Sequence, residues 1–284
     1  MITIMSIQSS VAYGHVGNSA ATFPLMRLGV EVWPVLTVHF SNHTGYGAWR
    51  GPLLSADDVN EVVQGMDDRG VLGRCDAVLS GYQGAEDVGA VILDTVALVK
   101  DRNPGAVYCC DPVMGDVGRG MYVRAGIPEF MRDKVIPAAQ VITPNQFELE
   151  FLTRSRVDTI ERVLAGADAV RASGPDTVLV TSATLADAPA DTLSMITVTR
   201  TGAWLVTTPR LPMTFTGAGD VTAAMFLAHL LRTGDPASAT GSTAAILYGL
   251  CKATTDSGQS ELQLVTAQDQ IVSPSRTFEV IRLR

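Results

Sequence analysis

The residues best suited to chemistry are Thr216-Gly217-Ala218-Gly219-Asp220, which stand directly before a run of small and apolar residues. The two glycines allow a tight turn in which successive backbone N–H groups face one point, and a helix that begins there directs its positive end to the same point. Asp220 is placed to take a proton from a hydroxyl while the amides stabilise developing charge, which indicates phosphoryl transfer. The alternative is an ordinary turn in which Asp220 caps the helix.

The composition of the chain favours a protein that acts on small molecules. It has 284 residues, a net charge of −8, 46% hydrophobic and 18% charged residues, which is typical of a soluble globular protein. No apolar run reaches the ~20 residues of a membrane helix, and the clustered Lys and Arg that nucleic acids require are absent. We therefore expect no membrane or nucleic-acid partner. With only three lysines, a bound phosphate must be neutralised by amides, arginine or metal ions.

The N-terminus and the cysteines indicate a cytoplasmic location. Residues 1–7 carry no basic leader, so no secretory signal is expected. Cys75, Cys109, Cys110 and Cys251 lack the paired spacing of a zinc site, and the adjacent pair falls in an apolar run. Buried reduced thiols are favoured over metal ligands or disulfides.

Strand-like and helix-like segments alternate along the chain. This order predicts an α/β fold with a central, mainly parallel sheet and helices on both faces. Residues 195–198 and 203–206 are typical of a hairpin that adds antiparallel strands at one edge. We find no repeat or linker and expect a single domain over residues 1–284, although residues 261–284 show no clear pattern. The predicted parallel strands are 2–7, 31–38, 75–79, 106–110, 140–142 and 177–180.

Polar residues follow several of these strands. Asp111 and Asp116 come after the fourth strand, Asn145 and Glu148 after the fifth, and Thr181-Ser182 after the sixth. Carboxyl ends of parallel strands meet at one edge, where open α/β sheets bind ligands. Paired carboxylates suit a magnesium–phosphate complex, although surface turn acids are the alternative. Repetition at successive strand ends is hard to explain by packing and predicts a site.

The loop Phe40 to Gly47 is dense in aromatic and hydrogen-bonding groups. It is either a polar hairpin tip or a flap over a planar ligand, and the pattern alone does not separate the two. Nearby, Asn18 is expected to cap the first helix, and Ser55 with Asp58 to form a capping box. We interpret His15, His39 and His229 as structural or loop residues.

Taken together, these motifs resemble the ribokinase-like superfamily and, within it, the pyridoxal kinases. The glycine-rich motif marks the superfamily, whereas the segment Phe40 to Thr44 and the N-terminal motif are specific to pyridoxal kinases. The motifs that carry the resemblance are Ile7-Gln8-Ser9, Tyr13-Gly14-His15-Val16-Gly17-Asn18, Phe40-Ser41-Asn42-His43-Thr44, Ser80-Gly81-Tyr82, Asp111-Pro112-Val113-Met114-Gly115, Thr143-Pro144-Asn145 with Glu148, and Thr216-Gly217-Ala218-Gly219-Asp220.

The resemblance implies an activity and a set of catalytic groups. The activity is ATP-dependent phosphorylation of the 5′-hydroxymethyl group of pyridoxal, and of other vitamin B6 vitamers, to give pyridoxal 5′-phosphate. Asp220 is the implied base, and the amides of Gly217, Ala218 and Gly219 are the implied anion hole. A ribokinase-like sheet and a homodimer are implied as well.

The resemblance also implies two binding subsites. Asp111, Asp116 and Glu148 would serve Mg²⁺ and the triphosphate, and Thr143 and Thr181 would lie near the phosphates or a monovalent cation such as K⁺. The implied substrate residues, besides Asp220, are Ser9, Val16, Phe40, His43, Thr44 and Tyr82. Further residues implied on the ATP side are Tyr122, Asn145 and Ser182.

Two departures and three rivals accompany this interpretation. Some bacterial relatives carry Gln at Gly45 and others Lys at Thr181, so the vitamer preference and the phosphate contact there stay open. The rivals are a hydroxymethylpyrimidine kinase, which the Phe40 to Thr44 segment argues against, and a non-catalytic pyridoxal phosphate-binding protein, which the intact base and glycine loop argue against. An NAD-linked dehydrogenase is poorly supported because no GxGxxG follows the first strand.

Overall fold

The computed structural model describes residues 1–284 and contains a nine-stranded sheet and a small separate hairpin. The strands are β1 (Thr3–Val11), β2 (Glu31–Phe40), β3 (Ala77–Ser80), β4 (Val107–Cys110), β5 (Gly115–Asp116), β6 (Gly120–Met121), β7 (Val141–Ile142), β8 (Thr177–Ala183), β9 (Thr192–Thr199), β10 (Ala203–Pro209) and β11 (Val280–Arg282). The α-helices are α1 (Asn18–Arg27), α2 (Ala56–Asp68), α3 (Glu86–Arg102), α4 (Ile127–Phe130), α5 (Ile136–Ala138), α6 (Gln146–Thr153), α7 (Ile160–Arg171), α8 (Ala218–Thr233), α9 (Pro236–Ser257) and α10 (Asp269–Val272). Single 3₁₀ turns span Thr44–Tyr46 and Leu72–Arg74, and a π turn spans Met131–Val135.

The strands of the sheet lie in the order β11-β10-β9-β8-β7-β4-β3-β1-β2. All neighbours from β2 to β8 are parallel, whereas β9, β10 and β11 continue the sheet with antiparallel pairing. The predicted mainly parallel sheet with antiparallel edge strands is confirmed. The carboxyl ends of the parallel strands therefore form one rim, at which polar loops can meet.

Helices cover both faces of the sheet, as predicted. One buried cluster packs Val59 of α2 and Ile92 of α3 against the sheet, and the other packs Phe226 of α8 and Ile246 of α9 against the opposite face. Burial of apolar surface stabilises each layer by roughly 25 cal/mol per Å². Because Phe226 is fully buried, α8 is held firmly and its N-terminus keeps a fixed place at the rim.

The strand β2 forms one edge of the sheet. Its Pro34 is exposed, and proline offers no backbone N–H to a further strand. Beyond Pro34 the edge is covered by residues 50–54, which return alongside it. The amide of His39 donates to the Pro52 carbonyl at 3.0 Å, and that of Leu54 donates to the Thr37 carbonyl at 3.1 Å.

The helix starts agree with the predictions in one case and differ in another. Ser55 and Asp58 form the expected capping box of α2. The prediction that Asn18 caps α1 is wrong, because Gly17 occupies the N-cap position. The buried Asn18 amide instead donates to the carbonyl oxygens of Gln8 and Val35, which ties α1 to β1 and β2.

Several features near the chain ends add to this picture. The strand β1 runs to Val11 rather than ending at Ile7, so Ser9 lies on a strand and not in a loop. Residues 261–284, which showed no clear pattern, contain α10 and the edge strand β11.

All four cysteines are free and buried, as expected. None of the helices combines the length and the apolar character that crossing a membrane would need.

Candidate active site

A cavity of about 760 Å³ opens at the carboxyl ends of the parallel strands. Polar and apolar side chains from five strand ends, from the loop Phe40 to Gly47 and from the start of α8 line it. Every residue that the sequence assigned to a site lies on its wall: Ser9, Val16, Phe40, His43, Thr44, Tyr82, Asp111, Asp116, Tyr122, Thr143, Asn145, Glu148, Thr181, Ser182, Gly217, Ala218, Gly219 and Asp220. The structure thus brings the predicted residues together in one place.

The glycine-rich loop has the backbone geometry of an anion site. Gly217 is the N-cap of the 16-residue helix α8 and has φ of 84°. A Cβ atom there would lie 1.8 Å from the carbonyl oxygen of His15, so only glycine fits. The amides of Gly217 and Gly219 have no backbone acceptor and are free to bind an anion.

Asp220 lies in the first turn of α8 and not at its cap, which argues against the ordinary capped turn. The backbone amides of Gly17 and of Asp220 itself favour the charged form of its carboxylate. Loss of hydration outweighs their effect and raises the pKa of Asp220 to about 6. Such a carboxylate is still ionised near neutral pH but is a stronger base than a hydrated one.

Two further carboxylates are buried in the wall of the cavity. Asp111 is 6% exposed and accepts a hydrogen bond from the Thr143 hydroxyl at 2.9 Å. Glu148 is 3% exposed and accepts from the amides of Met114 at 3.0 Å and Asn145 at 2.9 Å. Burial raises the pKa of both carboxyls, and the charge of Asp220 on Asp111 and of Asp111 on Glu148 raises each further.

These acids fit a hard divalent cation. No cationic side chain forms an ion pair with Asp111 or Glu148, so no charged group of the protein offsets their mutual repulsion. Asp116 stands apart on the hairpin β5–β6, where it accepts from the Val117 amide at 2.7 Å. No three His, Cys, Asp or Glu side chains are grouped closely enough to enclose a metal on their own. Mg²⁺ suits this arrangement, since it usually takes one or two carboxylates together with substrate phosphates and water.

The loop Phe40 to Gly47, called the flap from here on, also lines the cavity, which favours the flap interpretation over the hairpin tip. His43 begins its 3₁₀ turn, and the His43 Nδ1 atom accepts from the Gly45 amide at 3.1 Å. The Tyr82 backbone is fixed from β2, because the Thr37 hydroxyl donates to its carbonyl oxygen at 2.8 Å. The ring faces of Phe40 and Tyr82 suit a flat heterocycle.

The remaining predicted residues lie near Asp111 and Glu148. Asn145 caps α6, and its side-chain amide also donates to the Gly115 carbonyl at 2.8 Å, which ties the hairpin β5–β6 to that helix. Thr181 and Ser182 stand where the pairing of β8 with β9 shifts register. Ser182 has φ of 51°, a strained value of the kind that clusters at functional sites. Tyr122 is about half exposed, and partial loss of hydration together with the nearby charges of Glu148 and Asp111 raises its pKa.

Sequence reasoning missed the two permanent cations of the cavity wall, Arg119 and Arg210. An added Cβ at Gly45 would lie 2.7 Å from His43 Nδ1 and 3.0 Å from Arg119 Nη2, so a Gln there would displace one of them. Isolated arginines in loops have no spacing pattern that would mark them as site residues. Apolar residues of the wall cannot be distinguished by sequence from residues of the hydrophobic core. The apolar wall residues that were also missed include Leu211, Met213, Phe215, Leu247 and Tyr248.

Comparisons with known proteins identify the relatives of this chain. A family model described as phosphomethylpyrimidine kinase matches residues 67–264. Pyridoxal kinase PdxY of Leifsonia xyli subsp. xyli is 57% identical over 280 residues and is covered to 99%, as is this chain. Pyridoxal kinase PdxY of Rubrobacter xylanophilus is 56% identical over 283 residues, 99% of this chain and 98% of the relative. The structure of pyridoxal kinase from Leishmania donovani in complex with ADP and ginkgotoxin has a TM-score of 0.94 at 31% identity and covers 100% of both chains.

The mainly parallel sheet with helices on both faces and a glycine-rich anion loop at its rim defines a kinase of the ribokinase-like class. The high identity to the two PdxY relatives, over nearly the whole length of each chain, then narrows this class to one family. The chain belongs to the pyridoxal kinase family.

Proposed function

We propose that this enzyme transfers the γ-phosphoryl group of ATP to the 5′-hydroxymethyl group of pyridoxal, and of other vitamin B6 vitamers, in a salvage reaction that yields pyridoxal 5′-phosphate. The observation that carries the proposal is one cavity in which the Asp220 carboxylate, the free amides at the start of α8 and the flap all meet. The relatives support it: the Leishmania donovani enzyme has been solved in complex with ADP and pyridoxine and with ADP and pyridoxamine.

The reaction needs a base and a place for negative charge. The Asp220 carboxylate accepts the proton of the substrate hydroxyl as the oxygen attacks the γ-phosphorus. The amides of Gly217, Ala218 and Gly219 hold the equatorial oxygens of the moving phosphoryl group. Since phosphoryl transfer passes through a loose, in-line transition state, positioning and charge stabilisation suffice without a covalent enzyme intermediate.

The vitamer lies between the flap and the end of β3. Phe40 and Tyr82 contact the two faces of the pyridine ring, and Val16 adds an apolar wall. Ser9, His43 and Thr44 supply the hydrogen bonds that orient the ring substituents. A few placed polar groups in a largely apolar pocket are the usual means of binding such a ligand.

The nucleotide occupies the other half of the cavity. Asp111 and Glu148, with Asp116 from the hairpin, would hold Mg²⁺, which when bound would neutralise charge on the triphosphate. The hydroxyls of Thr143 and Thr181 face a phosphate oxygen or a monovalent cation such as K⁺. Tyr122, Asn145 and Ser182 line the path of the nucleotide.

Replacing Asp111 by asparagine is expected to raise the Mg²⁺ concentration for half-maximal rate by about ten- to hundredfold. The fold should persist, because an asparagine oxygen still accepts from the Thr143 hydroxyl and one of the mutually repelling charges is gone. The measurement is a Mg²⁺ titration at fixed ATP, beside a thermal melt. The exposed Asp94 of α3 provides the matched control, Asp94→Asn, and an unchanged titration in Asp111→Asn would remove Asp111 from the metal site.

A coupled assay with ATP and Mg²⁺ tests the acceptor directly. Pyridoxal, pyridoxine, pyridoxamine and hydroxymethylpyrimidine are offered separately at equal concentration. We expect the pyridine substrates to be turned over and the pyrimidine to be slower by at least about tenfold in kcat/KM, because its second ring nitrogen and its different ring substituents do not match the polar groups of Ser9, His43 and Thr44. Preference for the pyrimidine would establish the hydroxymethylpyrimidine kinase instead, and binding of pyridoxal phosphate without any turnover would establish the non-catalytic alternative.

We also propose that residues 1–284 work as a single kinase domain in a cytoplasmic homodimer. One sheet runs from residue 3 to residue 282, which supports the single domain. Four unpaired cysteines support a reducing compartment. The homodimer rests on the family resemblance, and light scattering should give a mass of about twice 30.1 kDa.

A further inference from the structure

Glu261 does not itself line the cavity, but it connects three segments around it. Its Oε1 atom accepts a hydrogen bond from the Tyr46 hydroxyl of the flap at 2.5 Å. Its Oε2 atom accepts from the backbone amide of His15, in the loop after β1, at 2.9 Å. The backbone of Glu261 pairs with Thr216, the first residue of the glycine-rich loop, as an isolated parallel bridge.

The surroundings of the carboxylate are shaped to admit it. A Cβ atom at Gly14 would lie 2.5 Å from Glu261 Oε2, so a glycine at this position is what lets the carboxylate reach the His15 amide. Gly14 has φ of 92°, which also favours glycine. The Tyr13 ring lies 6.2 Å from the Tyr46 ring, so the loop after β1 and the flap meet next to the carboxylate.

The loop that Glu261 holds reaches the reacting groups on its other side. The His15 carbonyl oxygen lies against Gly217, where it excludes any Cβ atom. Two residues further, the Gly17 backbone amide favours the charged form of the Asp220 carboxylate. A displacement of residues 15–17 would therefore move both the anion loop and the amide that stabilises the base.

We propose that Glu261 is a positioning residue, which holds the flap closed through Tyr46 and fixes residues 15–17 against Gly217 and Asp220. Closure over the vitamer and orientation of the base are then coupled through one carboxylate. The part of this inference that concerns catalysis rests on the proposed kinase function. The part that concerns the flap does not rest on that function, because the mobility of the flap can be measured in the substrate-free protein.

Hydrogen exchange followed by mass spectrometry of the substrate-free protein tests the flap. In Glu261→Ala, amides in residues 41–50 should exchange about tenfold faster or more, because the flap loses a charge-assisted bond that ties it to the body of the protein. Tyr46→Phe should accelerate the same amides, since it removes the same bond. The exposed Glu279 makes no hydrogen bond, and Glu279→Ala should match the wild type. Unchanged exchange of residues 41–50 in Glu261→Ala would overturn the proposal whatever the activity.

Steady-state kinetics with pyridoxal and ATP test the coupling. Tyr46→Phe should raise KM for pyridoxal about tenfold and leave kcat within about twofold, because only the flap is released. Glu261→Ala should raise KM for pyridoxal similarly and lower kcat about tenfold as well, because residues 15–17 are released too, while KM for ATP stays near the wild-type value. Glu261→Gln, whose one oxygen can accept only one of the two bonds, should recover part of the loss.

The two experiments separate failure of this inference from failure of the proposed function. A kcat in Glu261→Ala equal to that in Tyr46→Phe would overturn the coupling to Asp220. The proposed kinase function would be unaffected by that result. A wild-type protein that phosphorylates no vitamer would overturn the proposed function, and the exchange rates of residues 41–50 would still decide whether Glu261 holds the flap.

Discussion

Asp220→Asn is expected to lower the turnover of pyridoxal by at least about 100-fold, the usual scale for the loss of a general base. Asparagine has nearly the same shape and keeps an oxygen that can face the Gly17 amide, so the start of α8 should be undisturbed. Only the ability to take the hydroxyl proton is lost. The fold and the affinity for pyridoxal should therefore remain close to those of the wild type.

Single-turnover rates and equilibrium binding of pyridoxal separate these effects. Asp235→Asn is the matched control, because Asp235 also stands at the start of a helix, where it accepts from the Ala237 amide at 3.0 Å. Asparagine caps a helix as well as aspartate does, so this control should be neutral. Near-normal turnover in Asp220→Asn would show that the proton leaves by another route.

Gly217→Ala is expected to reduce turnover by at least about 100-fold and to lower the melting temperature by several degrees. A left-handed backbone costs a non-glycine residue about 1–2 kcal/mol, and the new methyl group would also meet the His15 carbonyl at 1.8 Å. The loop must then shift, which moves the amides away from the phosphoryl group, and loss of one such donor costs about 10²–10³ in rate.

Gly234→Ala, at the other end of the same helix, separates crowding from backbone strain. Gly234 also has a left-handed backbone, with φ of 65°, but an added Cβ meets nothing within 4 Å. We expect a loss of about 1 kcal/mol in the free energy of unfolding and unchanged turnover. Thermal melts and initial rates of both variants give the comparison, and equal effects on turnover would contradict the role of the His15 contact.

Much of the fold was predictable because the relevant patterns are local. Strand-like and helix-like segments alternate along the chain, and this order predicted the parallel sheet. The Ser55–Asp58 capping box lies within four residues. Polar residues after successive strands predicted one site, since parallel strands end at a common rim. For this reason Asp111, Glu148 and Asp220 could be placed together without any structure.

Contacts between distant parts of the chain could not be predicted in this way. Tyr46 and Glu261 meet across 215 positions, and nothing in either local sequence marks the partner. The hairpin β5–β6 has two residues in each strand, too few for a period to show. Arg119 reaches the cavity only because that hairpin folds over it. Asn18 has the composition of a cap, but burial between β1 and β2 gives its amide other partners.

The protected edge at β2 has a consequence for behaviour at high concentration. An open edge strand is a template on which another molecule can add its own strand, and this is a common start of aggregation. Here Pro34 withholds a donor from the first half of the edge, and residues 50–54 occupy the second half. The flap is continuous with that cover. The hydrogen bonds of residues 50–54 to β2 do not involve the 3₁₀ turn of the flap. We therefore expect that movement of this turn leaves the backbone groups of the β2 edge covered.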